Sequence, residues 1–114
     1  QVVRRMKLIS IYWRDIPSQI IINKGRVRTK HQLSHRFQAA IDRAAMRAGK
    51  GSSDLYLEDW RRTTIPLEAT TDVESLITEI AINLENQFTD QDLDLLIKNH
   101  GNSAAGETNT GEIT

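Results

Sequence analysis

The chain contains no cysteine, which excludes a disulfide framework and every thiolate metal site and suits a reducing cytoplasm. Proline is confined to Pro17 and Pro66, and each is read as punctuation: Pro17 in a turn, Pro66 on a strand at a sheet edge. No apolar run is longer than Ile20-Ile21-Ile22, far below the roughly 20 residues that a membrane-spanning helix needs. The opening "QVVRRM" carries two arginines and then passes into Lys7 and a strand pattern, without the apolar centre of a signal peptide. Residues 1–6 are therefore taken as an N-terminal extension, with Met6 standing where a native start would fit.

Net charge is also missing, but only in the sum. Residues 1–62 hold 14 Lys+Arg against 5 Asp+Glu, a net of +9, and residues 63–114 hold 1 against 10, a net of −9. Such a split gives a basic surface that either meets an acidic partner or is neutralised by the chain's own second half. With 114 residues and 39% hydrophobic content, the chain has the size of one domain with a modest core.

What is present begins with "IYWRDIPSQIII" at residues 11–22. Alternation over 7–14 places Ile9, Ile11 and Trp13 on one face of a strand and Leu8, Ser10, Tyr12 and Arg14 on the other; with Trp13 inward, Ile9 and Ile11 face the core and Tyr12 and Arg14 face outward. Asp15-Ile16-Pro17-Ser18 reads as the connection, and Gln19–Asn23 as a second strand that Lys24-Gly25 ends. From Leu33 the period becomes helical through Phe37, Ile41, Ala44, Ala45 and Ala48, with Gly49 as its C-terminal cap. A short helix follows, carrying Leu55, Tyr56 and Trp60, and then an extended segment from Thr63 to Leu67. Val73, Leu76, Ile77, Ile80, Ala81 and Leu84 mark the clearest helix, preceded by Thr71 and Glu74 at capping-box spacing. Thr89-Asp90-Gln91-Asp92 opens a last short helix with Leu93, Leu96 and Ile97. The expected fold is α+β: a small, mostly antiparallel three-stranded sheet (β-β-α-α-β-α) with helices on one face, spanning residues 7–100. Residues 101–114, small and polar, are expected to be a disordered tail.

Chemistry-bearing patterns are weak. His31 and His35 are four apart, but a helix barely starts there and no further ligand is near, so a solvated pair is the better reading and no metal site is assigned. His100 reads as a helix-end residue near the negative end of a dipole. "AGKGSSD" at 48–54 follows a helix and lacks Ser or Thr after Gly49-Lys50, so it is a helix-to-helix turn rather than a phosphate loop. Asp15, Asp42 and Asp54 are the candidate acids or bases, but each has arginines near in sequence: Arg14 adjoins Asp15, Arg43 adjoins Asp42, and Arg61 and Arg62 follow Glu58-Asp59, which favours ion pairs over proton transfer. Catalytic residues and cofactors are accordingly expected to be none.

Three ordered blocks carry a resemblance: "ISIYWRDIPSQI" (9–20), "RFQAAIDRAAMRAG" (36–49) and "SDLYLEDWRR" (53–62). They are similar to the bacterial virulence factor domain, which also forms the C-terminal part of conserved virulence factor C proteins. The resemblance spans about residues 7–88. It implies no enzymatic activity. Stand-alone members resemble small proteins encoded beside corrinoid-dependent methyltransferase and methylenetetrahydrofolate reductase enzymes, which implies an accessory role in one-carbon metabolism. The family's recurrent residues fall here on Tyr12, Trp13, Arg14, Asp15, Pro17, Gln19, Arg36, Phe37, Gln38, Asp42, Arg43, Met46, Tyr56, Trp60 and Arg61.

The functional expectation is a non-enzymatic accessory protein of the bacterial cytoplasm, docking on a larger protein partner. Tyr12, Trp13, Arg14, Asp15, Gln19, Arg36, Arg43, Trp60 and Arg61 are the expected partner-binding residues, because aromatics beside arginines make interface hot spots. For Trp13 and Trp60 a place in the core stays open as the alternative. Two further readings remain: a nucleic-acid-binding module using the basic half, and a small enzyme or ligand carrier around Asp15, Asp42 and Arg43.

Overall fold

A computed structural model of the chain describes residues 5–68 and 70–103. The first strand, β1 (Met6–Trp13), turns through Arg14-Asp15 into β2 (Ile16–Lys24), which turns through Gly25-Arg26 into β3 (Val27–Gln32). Helices α1 (His35–Arg47) and α2 (Ser53–Glu58) precede β4 (Trp60–Leu67), and α3 (Val73–Gln87) and α4 (Asp90–Lys98) close the fold. All neighbours in the sheet are antiparallel and the order is β3-β2-β1-β4. The α+β class holds, with four strands rather than three. β3 escapes the alternation rule because it is an edge strand whose residues are exposed or half-buried, so no apolar face marks its period.

One core joins the layers. Met6, Leu8, Ile20 and Ile22 from the sheet meet Phe37, Ile41 and Ala44 of α1, Ile77 and Ala81 of α3, and Leu93 and Leu96 of α4. Each fully buried Ile or Leu contributes about 1.5–3 kcal/mol of transfer free energy. Met6 is a core residue within β1, so the extension expected over 1–6 shortens; residues 1–4 lie outside the described set. Ile9 and Ile21 are also buried but stand apart from this core. They are register partners on the opposite sheet face.

The facing expected for β1 is therefore reversed over most of its length. Leu8, not Ile9, points to the helices. Trp13 nevertheless enters the core, the alternative to the partner-binding role expected of it, together with its partner Ile16. The β1–β2 register is irregular here: Ile11 pairs with Gln19 and Tyr12 with Pro17, leaving Ser18 extra on β2, while β1 pairs with β4 without a break. Such a bulge sharpens the local twist and re-aims the side chains beyond it. The hairpin connection is Arg14-Asp15 alone, and Pro17 belongs to β2, at a place that β3 does not reach.

Local signals set the helix ends. At the end of α1, Gly49 (φ 75°) and Lys50 donate to the carbonyls of Met46 and Ala45, the two bonds of a Schellman motif. Thr89 and Asp92 form the reciprocal capping box of α4. For α3 the cap is Asp72, which accepts from the Ser75 N–H, one residue later than the box expected at Thr71 and Glu74.

Candidate functional site: the tip of the first hairpin

Antiparallel register brings two of the sequence blocks together at one end of the sheet. Tyr12 pairs with Arg61 and Trp13 with Trp60. Trp13 is fully buried, stacks on Tyr56 with ring centroids 6.1 Å apart, and donates its Nε1 hydrogen to the Tyr56 carbonyl at 2.8 Å. Trp60 meets Tyr56 edge-on at 5.6 Å and is half-buried. Trp13 is thus a core residue, out of reach of a partner.

Arg14 sits at the turn with φ 54°, a conformation the tight hairpin turn demands and a side chain resists. Its groups are all engaged. The backbone N–H donates to the Asp59 carbonyl at 3.1 Å, and its own carbonyl accepts from Arg61 Nε at 2.9 Å. The guanidinium pairs with Asp59 at 3.2 Å and donates to the His100 carbonyl at 2.8 Å. Arg61 in turn pairs with Asp15 at 3.1 Å and lies over the Tyr12 ring at 4.5 Å. The ion pairs cross between strands, rather than joining sequence neighbours. Lys50 completes the cluster against Glu58 and Asp59. A hydrogen bond to the Glu58 carboxylate holds its ammonium above the ordinary lysine value.

The chain beyond α4 fastens this tip. His100, at φ 61°, and Gly101 close the helix with a second Schellman pair, donating to Ile97 and Leu96. Asp15 N–H donates to the Gly101 carbonyl at 2.9 Å, and Ser103 N–H to Asp15 Oδ2 at 2.6 Å. Residues 101–103 therefore belong to the fold, against the expectation of a tail from 101; residues 104–114 lie outside the described set.

Beside the tip lies an open groove of about 500 Å³. Tyr12, Phe88, Leu95 and Leu96 form its apolar walls, and Asp15, Arg61, Gln87 and Ser103 its polar rim. Leu95 is 58% exposed. Sequence reasoning missed Phe88 and Leu95, which line the groove with Tyr12 only once α3 and α4 are folded, and Asp59, which follows α2 and meets Arg14 across 45 residues.

Of the expected binding residues, Tyr12, Arg14, Asp15, Trp60 and Arg61 converge here around the buried Trp13. Gln19 does not: it is half-buried and paired with Ile11 on the face away from the helices. Arg36 is bound to Glu85 and Asp90. Arg43 is exposed on α1, near Asp42, Met46 and Ile97. Asp15 and Asp42 line separate depressions, so the trio Asp15, Asp42 and Arg43 does not form one pocket. His31 lies in β3 and His35 opens α1, so the two do not share a helical face.

A family model described as "Virulence factor" matches residues 11–97, from within β1 to the last turn of α4. The chain belongs to the virulence factor family. No curated protein and no solved structure matches it. The match runs past the residue-88 limit of the resemblance and so includes α4, one wall of the groove, in the virulence factor domain. Among the described residues no helix is long and apolar enough to cross a membrane.

Proposed function

We propose that this virulence factor domain is a non-enzymatic accessory protein that docks on a larger protein partner, with the groove beside Tyr12 as its receptor. The observation that carries the reading is the groove itself: apolar walls with a protruding Leu95, bordered by the Asp15–Arg61 pair. Protein interfaces concentrate their energy where an apolar or aromatic anchor enters such a setting and polar groups surround it. The ionisable groups around the groove are already engaged, Asp15 by Arg61 and the Ser103 N–H, and Asp92 by the Thr89 N–H. That supports recognition over proton transfer. The receptor differs from the free basic patch expected at Tyr12 and Arg14, since Arg14 spends its charge inside the domain.

The family resemblance nominates the first partner to try, a corrinoid- or folate-dependent methyl-transfer enzyme of a bacterial cytoplasm. The test is affinity purification at native expression with quantitative mass spectrometry, using wild type and Leu95→Glu. Leu95 is exposed, so the variant should fold. One protein should co-purify with wild type and drop about ten-fold or more with the variant, the loss expected of a hot-spot side chain. Recovery of a free monomer only, or equal recovery of the partner by both chains, would refute the reading.

A further inference from the structure

The sheet has a second surface that the groove does not use. Helices α1, α3 and α4 turn their buried residues to the core on the side of Met6, Leu8, Ile20 and Ile22. By register, the opposite face carries Lys7 on β1, Arg28 and Lys30 on β3, and Arg62 on β4. None of the four forms an ion pair among the described residues. No register position of this face holds Asp or Glu, and its remaining polar positions are amides and a threonine. The cations run diagonally from β3 to β4, across about 14 Å at the usual strand spacing.

We propose that this face binds the phosphate backbone of a nucleic acid without reading its sequence. Charge complementarity selects the occupant. Ile9 and Ile21, at the centre of the face, are 6% and 2% exposed, so the surface offers little apolar area to the core of a protein interface. What it does offer, cations flanked by amide and hydroxyl donors, is the set that contacts phosphate oxygens. Tyr12 and Trp13, the only aromatics of β1 and β2, serve the groove and the core, and Trp60 on β4 is the register partner of Trp13. The face therefore has no platform for base stacking, and a single strand gains nothing over a duplex. The acidic residues Glu74, Glu79 and Asp94 are exposed on the helical layer, so the domain presents its positive side to a polyanion and keeps the negative side away.

The test is fluorescence anisotropy of the full chain with a labelled 20-base-pair DNA duplex and a single strand of equal length, at 50 and 200 mM KCl. The duplex should bind at least as tightly as the single strand. Four phosphate contacts give a salt slope of about −3.6, so its affinity should fall about a hundred-fold between the two conditions. Arg28→Gln with Lys30→Gln should weaken binding about ten-fold or more at 50 mM and lower the slope by about two. Lys7→Gln with Arg62→Gln, on the other strands, should do the same, and thermal melts confirm that each pair folds. Leu95→Glu should bind DNA like wild type, which separates this surface from the docking groove. Absent binding at 50 mM, salt-insensitive binding, or unchanged binding by both pairs would overturn the proposal. So would equal competition by poly-glutamate, which would assign the face to an acidic protein.

Discussion

Among the described residues, two non-glycine residues, Arg14 and His100, hold positive φ, at a cost of about 1 kcal/mol each. They touch one another through the Arg14 guanidinium and the His100 carbonyl. Gly101, next in the chain, is where the close approach becomes tightest. At φ 91°, a Cβ there would stand 2.9 Å from Trp13 Cζ3. Gly101→Ala should therefore cost about 2–3 kcal/mol in urea unfolding, from overpacking and backbone strain together. Gly49→Ala is the matched control: its φ is 75° but its added Cβ meets open space, so about 1 kcal/mol is expected. Equal losses for the two would mean that the Trp13 contact carries no weight.

Between elements, the start of α1 is tied to the end of α3 by Glu85. Its carboxylate accepts from the Ser34 N–H at 2.6 Å and the Ser34 hydroxyl at 2.8 Å, and it pairs with Arg36 at 3.3 Å. Burial alone would raise its pKa, but the two Ser34 donors and Arg36 outweigh that and hold it below the ordinary 4.5. A carboxyl depressed in the folded state contributes its full stability above the unfolded value and loses it as pH falls through the folded value. Glu85→Gln should accordingly lower stability by about 1–2 kcal/mol at pH 7. The gap from wild type should close progressively below pH 4.5 in melts recorded from pH 7 to pH 3. A gap that stays constant with pH would show that packing, not the charged hydrogen bonds, holds the helices.

On the scale of the molecule, the +9 and −9 halves of the sequence partly meet and partly separate. Arg36 with Glu85 and Asp90 is a contact between them, whereas the cations of the outer sheet face find no acid among the described residues. The segment from Asn99 to Ser103 belongs to the acidic half and clamps the tip of the basic one. Ending the chain at Lys98 should remove that clamp, lower the melting temperature by about 5 °C or more, and red-shift the tryptophan emission as the Trp13 ring is uncovered. An unchanged melt and spectrum would deny the clamp a structural role.

Period and punctuation in the sequence determined the α+β class, the helices α1, α3 and α4, and the edge strand with Pro66, because these follow from local alternation and capping. Three ordered blocks were enough to place the chain in its family. β3 stayed hidden, since an edge strand wetted on nearly every residue has no apolar rhythm. The facing of β1 was likewise beyond reach: alternation names two faces without saying which the helices choose, and Leu8 and Trp13 share a core despite their odd spacing. Only the tertiary structure decided which cations are spent. Arg14, Arg36 and Arg61 find carboxylates that lie 45 or more residues away, while Lys7, Arg28, Lys30 and Arg62 are held on the far face by the register. Which charge is neutralised depends on three-dimensional distance, and sequence separation carries almost none of that information.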